Sequence, residues 1–217
     1  MFALVRTGRF AAKQDGISFI LIDLSLPGIR IRPIVNLCGD EEFCEVFFDD
    51  VRVPRSELVG ELHQGWPIAR SLLDFERLFN GSPRMSARTL HLLEDLGRKL
   101  DLFASRTFRE EFAVLALDLA DLKALYMHYE AIVRAGERLP DSVSILKLLA
   151  TETYARIARR LTECAMEHGG DAAAIDASAK GLIPSGPLLH AVATRIYGGT
   201  NEIQRNVLAK RVLGLPS

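Results

Sequence analysis

The chain has 217 residues, 48% of them hydrophobic, and its 27 basic and 28 acidic side chains leave a formal net charge of −1. That length and apolar content bury a sizeable core in one or two domains, while the even spread of charge gives neither a basic face for nucleic acid nor a polybasic segment for an anionic membrane. No apolar run reaches the ~20 residues that span a bilayer, and Arg6 interrupts the opening apolar stretch too early for a secretory signal.

Cys38, Cys44 and Cys164 are odd in number and lack metal-ligand spacing. They read as reduced structural thiols in a cytoplasmic protein without a metal site. In chain order, segments 2–6, 17–23, 29–34 and 45–53 are short and rich in β-branched and aromatic residues, with turn signals at 13–16, 26–28 and 39–40 between them. Ile29, Ile31 and Pro33 alternate with two arginines, which predicts a sheet with one wet face. Four such strands make a small open sheet with an unpaired edge of the kind proteins usually cover. The first strand starts without a lead-in, so the chain reads as the second part of something larger.

Beyond Gly65 the periodicity turns helical. Helices are predicted over about 66–99 with an interruption at Gly81-Ser-Pro83, then over 108–139, 142–168 and 188–197. Pro140 breaks the pattern, and Asp141 or Ser142 suits the cap of the next helix. Helices of this length suit a packed bundle.

Two places carry candidate chemistry. The segment Arg195-Ile-Tyr-Gly-Gly-Thr-Asn-Glu202 reads as a helix end, a two-glycine elbow and a new helix. Gly198 and Gly199 allow a sharp turn and a close approach of a ligand. Thr200 suits the cap, and Glu202 the positive end of the helix dipole. Amides facing outward there suit an anion or a polarised carbonyl. The second place is Glu76, beside an apolar stripe of Leu72, Phe75 and Phe79. A carboxylate at the border of such a face is partly desolvated and suits a general base. The competing reading makes Glu76 a rim residue paired with Arg77 or Arg70.

Five stretches carry a resemblance. They are Glu45-Val-Phe-Phe-Asp-Asp-Val-Arg-Val-Pro54, Val59-Gly-Glu-Leu-His-Gln-Gly-Trp66, Leu73-Asp-Phe-Glu-Arg77, His168-Gly-Gly170 and Tyr197-Gly-Gly-Thr-Asn-Glu-Ile-Gln-Arg205. In this order, across nearly the whole chain, they resemble the second half of the acyl-CoA dehydrogenase family. The resemblance implies an α+β, predominantly α fold. Residues 1–62 would form part of an antiparallel middle β domain, and residues 63–217 the C-terminal four-helix bundle. Met1 would then be an internal methionine of a longer protein.

The resemblance also implies FAD as cofactor and an acyl-CoA thioester as substrate, oxidised by α-proton abstraction and β-hydride transfer to the flavin. It implies a homo-dimer or tetramer, or a hetero-oligomer with a second dehydrogenase-like chain, with an electron-transfer flavoprotein as acceptor. Much of the family keeps its base directly after the elbow tyrosine, where this chain has Gly198. A second branch keeps it on the first long helix, at the position of Glu76. The amide of Gly198 matches the donor that polarises the thioester, and Asp74 and Arg77 match positions near the substrate. Thr200, Glu202, Gly169 and Gly170 match cofactor contacts. The family's cross-subunit motif appears as Ser105-Arg-Thr-Phe-Arg109, with Ser105 where the family has its arginine. Arg106 or Arg109 would substitute for that arginine, and Arg106 and Phe108 are its cofactor-binding candidates. Met166 stands where a glutamine is usual. A helix-surface ion pair is the competing reading of Asp74 and Arg77. For the chain as a whole, the competing reading is a non-catalytic assembly module that pairs with a separate chain supplying the missing half.

Overall fold

A computed structural model describes residues 1–37, 39–167 and 185–216, without the side chains of residues 73–75. It divides into two compact units, Met1–Phe75 and Glu76–Ser217.

In the first unit, strand β1 (Phe2–Arg6) runs antiparallel to β2 (Ile17–Leu21), with Phe2 opposite Leu21 and Arg6 opposite Ile17. A two-residue strand β5 (Leu58–Val59) joins the other side of β2. Phe19 and Ile22 are buried, and the Phe19 ring stacks on Phe2 at 5.0 Å. Among the described residues, strands β3 (Ile29–Ile34) and β4 (Phe43–Phe48) pair only with each other, Ile29 opposite Phe48 and Ile34 opposite Phe43.

The expected single sheet is therefore two sheets. The expected wet and dry faces of β3 are absent as well, since Ile31 (47% exposed) and Pro33, on the face expected to be dry, are both exposed. A two-stranded ribbon has no layer of its own to pack on, so its cover within the chain is local. Arg30 and Arg32 lie over the Phe47 ring, and Arg32 pairs with Glu45. Strand β4 stops at Phe48, earlier than the pattern predicts, because Asp50 turns left-handed (φ 47°) ahead of Pro54.

Helix α1 (Gly65–Asn80) carries the chain out of the first unit. The second unit holds its last residues with α2 (Arg84–Lys99), α3 (Arg106–Arg134), α4 (Ser144–Glu167), α5 (Gly186–Thr194) and α6 (Asn201–Val207). The α1–α2 break falls at Gly81-Ser-Pro83, as the sequence predicts. Ser105 caps α3 by accepting from Phe108 N at 3.4 Å, and α3 ends at Arg134, just before Gly136 at φ 76°. Helix α4 is the hub, touching α2, α3, α5 and α6. Leu93, Leu122, Leu146 and Ile157 are fully buried between α2, α3 and α4. The chain is thus α+β and predominantly α, with a helical bundle built on α4. No described helix is long and apolar enough to cross a membrane.

Candidate functional site

The last turn of α1 places Glu76 and Phe79 on the outside. Glu76 is exposed and Phe79 is 79% exposed. Of the stripe read from Leu72, Phe75 and Phe79, Leu72 is 40% exposed and Phe79 open, Phe75 has its side chain outside the described residues, and the half-buried Leu78 is the residue that packs inward. Periodicity located an apolar stripe without saying what covers it. Glu76 makes no ion pair among the described residues. Arg77 turns away from it, donating from Nη2 to Ser144 Oγ at 3.0 Å and to Asp141 O at 3.3 Å. Arg77 also lies 3.8 Å from the Asp141 carboxylate. The rim pairing of Glu76 with Arg77 is therefore absent. Asp74 lies in α1, its side chain outside the described residues.

The elbow follows α5. Gly198 and Gly199 take left-handed φ of 64° and 83°, which only glycine adopts freely. A Cβ on Gly198 would lie 2.3 Å from Asn80 Nδ2. Thr200 caps α6 as predicted, its Oγ1 accepting from Ile203 N at 3.3 Å. Glu202 is exposed in the first turn, and its carboxyl is held below the usual range by its own backbone N–H and the Thr200 hydroxyl. Gly198 and Gly199 are exposed residues, and their N–H groups have no hydrogen-bond partner among the described residues.

Two side chains from α4 hold this elbow. Lys147 is only 3% exposed. Its ammonium donates to Tyr197 O at 2.6 Å and to Gly199 O. Desolvation pushes its pKa below the usual lysine value, with Glu202 opposing the shift. One turn on, Asn201 Nδ2 donates to Thr151 Oγ1 at 3.0 Å, and both residues are buried. None of Lys147, Thr151, Asn201 or Asn80 is among the sequence candidates. The signal was there: a cation between Leu146 and Ala150 on the buried side of a helix needs acceptors. Beside the elbow, a cavity of about 300 Å³ is lined by Phe79, Asn80, Met85, Tyr154 and Tyr197, among others.

The cofactor candidates are scattered. Arg106 is on the surface and paired with Glu110 at 2.7 Å. Phe108 is 4% exposed, edge-on to Phe103 at 4.9 Å, so its ring is already committed to the core. Gly169, Gly170 and Cys38 lie outside the described residues. Cys44 is exposed and Cys164 buried. Among the described residues no three His, Cys, Asp or Glu side chains cluster as metal ligands.

Known proteins resemble this chain in sequence and in fold. Residues 63–213 match the acyl-CoA dehydrogenase C-terminal domain. The acyl-CoA dehydrogenase IpdE1 of Mycobacterium tuberculosis is 36% identical over 99% of this chain and 55% of its own length. FadE34 from the same organism is 33% identical over 98% of this chain and 28% of its own length. Among solved structures, the Tcur3481-Tcur3483 steroid ACAD superposes with a TM-score of 0.81 at 26% identity, over 98% of this chain and 56% of that one. The ChsE4-ChsE5 complex from Mycobacterium tuberculosis gives a TM-score of 0.80 at 25% identity, over 100% of this chain and 57% of that one. The chain spans about half the length of the curated IpdE1 relatives it matches. With the elbow, the bundle and the family domain in one register along the chain, it belongs to the acyl-CoA dehydrogenase family.

Proposed function

We propose that this chain supplies the helical half of an FAD-dependent acyl-CoA dehydrogenase, with residues 63–217 as its bundle and 1–62 as part of its middle β domain. The observation that carries this reading is the N–H of the exposed Gly198, without a partner among the described residues, on an elbow tied down to α4. Such an amide suits a thioester oxygen, on which charge grows as the α-proton leaves. Glu76 is the base: its carboxylate is exposed, is free of ion pairs among the described residues, and sits one helical turn before Asn80, which touches the elbow. It takes the α-proton, and the Gly198 N–H donates to the thioester oxygen as enolate character develops.

The flavin, when bound, supplies the acceptor for the hydrogen that leaves the β carbon. Residues present here fit its polar edge in part. The Thr200 hydroxyl and Glu202 carboxylate stand at the start of α6, ready for hydroxyl and ribose contacts, whereas the buried Phe108 ring has no surface to offer. Arg77 fixes the last turn of α1 within the second unit rather than meeting substrate, since Ser144 and Asp141 already hold it. An electron-transfer flavoprotein is the electron acceptor in this reading.

In the full-length protein, Glu76→Gln should keep its flavin absorbance while acyl-CoA no longer bleaches it. Normal bleaching would remove Glu76 as the base. A second reading, an assembly half that works with a separate chain, is favoured by the likeness to the ChsE4-ChsE5 complex. Purified by itself, the chain should then hold no flavin and should gain it on mixing with that partner. Flavin retention and turnover by the chain alone would sink that second reading.

A further inference from the structure

Lys147 is a buried cation held by backbone carbonyls. No carboxylate lies within ion-pair distance of it among the described residues, and its ammonium is spent on Tyr197 O and Gly199 O. Burying an ammonium costs free energy that ordinary packing would avoid, since an apolar side chain of similar length would fill the space. The arrangement makes sense if those carbonyl directions matter.

They fix the direction of the amide. The peptide group is planar and trans, so the carbonyl of Tyr197 and the N–H of Gly198 belong to one plate and point in opposite directions. Drawing Tyr197 O inward onto Lys147 turns the N–H of the exposed Gly198 away from Lys147. The second bond, to Gly199 O, fixes the next plate but one. Between them lie two left-handed glycines, φ 64° and 83°, the residues with the most freedom to let a plate rotate. Gln204 adds a weaker tie, Nε2 to Gly198 O at 3.4 Å.

We propose that Lys147 is a positioning residue that aims the Gly198 N–H at the thioester oxygen, and so sets how strongly that carbonyl is polarised. This rests on the dehydrogenase reading above. Lys147 itself touches no substrate, and it acts through the Tyr197–Gly198 peptide plate.

The test uses the flavin-loaded full-length protein and a saturated acyl-CoA carrying ¹³C at the thioester carbon. The infrared stretch of the labelled carbonyl reports its polarisation directly, apart from turnover. In the parent protein the stretch moves to lower frequency on binding. Lys147→Met should lose most of that movement and slow flavin reduction about ten- to hundredfold, less than the roughly hundred- to thousandfold cost of removing an oxyanion donor outright because the amide is misaimed and not lost, with acyl-CoA affinity changed less than the rate. Lys147→Arg should restore part of both. Leu122→Ala, far along α3 in the core, controls for simple destabilisation and should leave the carbonyl shift in place. Should Lys147→Met not fold, Lys147→Gln carries the comparison: its carboxamide nitrogen is uncharged, sits one bond nearer the main chain and cannot hold both carbonyls, so the shift should shrink there too. A full carbonyl shift in the Met or Gln variant would overturn the proposal. A parent protein with no shift and no flavin reduction would instead overturn the dehydrogenase reading beneath it.

Discussion

The carboxamide of Asn80 occupies the space where a side chain on Gly198 would begin, its Nδ2 2.3 Å from an ideal Cβ. The end of α1 and the elbow therefore meet at a glycine for two reasons, contact and a φ of 64°. Gly198→Ala should destabilise the protein by about 1–3 kcal/mol through crowding and left-handed strain together. Asn80→Ala in the same chain should return the crowding part and leave the strain. A double-mutant cycle of urea midpoints measures both. Simple additivity would show that Asn80 does not crowd position 198. A glutamate at 198 meets the same obstacle, which agrees with the base lying elsewhere.

Gly81 is a glycine by packing. A Cβ there would lie 2.3 Å from Leu146 Cγ, and Leu146 is fully buried. Gly81→Ala should cost about 1–3 kcal/mol by overpacking. Leu146→Val beside it should recover part of that loss, read from thermal midpoints.

Phe108 discriminates a core role from a cofactor role. Its ring is 4% exposed among Phe103 and Phe112. Phe108→Ala should therefore cost about 3–5 kcal/mol of folding stability even in flavin-free protein. A loss confined to flavin affinity, with denaturation unchanged, would contradict the core role.

Stability should depend on pH through Lys147. Its folded-state pKa is lowered by burial below the usual 10.5, so the native state gives up the proton more readily than the unfolded chain. Between the lowered value and 10.5 the unfolded chain binds more protons, and stability rises with pH across that window. Relative to Lys147→Met, the parent should gain stability on going alkaline within it. A constant difference would mean that Lys147 titrates normally.

Glu202 runs the opposite way. Its carboxyl is held below 4.5 by its own backbone N–H and by Thr200. The stability it adds is present above 4.5 and lost as pH falls through the lowered value. Glu202→Gln should flatten that acid limb in a pH series of denaturation curves, and an unchanged limb would exclude the contribution.

Most element boundaries were legible because the punctuation is chemical. Gly81-Ser-Pro83 breaks a helix whatever surrounds it, and Thr200 caps α6 with its own hydroxyl. What a stripe packs against was not legible. Leu72 and Phe79 read as a core face and lie open, because helical period encodes neighbours along a helix and not the layer across from it. The β3 alternation misled for the same reason. Lys147 escaped notice since lysines usually sit on the surface, and its acceptors are backbone carbonyls some fifty residues away, which composition cannot reveal. At the elbow, the residue types pointed to a sharp turn. That Asn80 and Lys147 are the residues meeting it follows only from the fold.

Asp141, just ahead of α4, receives both Arg77 from the end of α1 and Arg211 from the π-helical turn (Leu208–Val212) after α6. One carboxylate is thus the common anchor of the segment carrying Glu76 and the segment leaving the elbow. The two halves of the proposed chemistry, proton acceptor and amide donor, share a mechanical ground. Removing that carboxylate would take one ion pair from each segment at once.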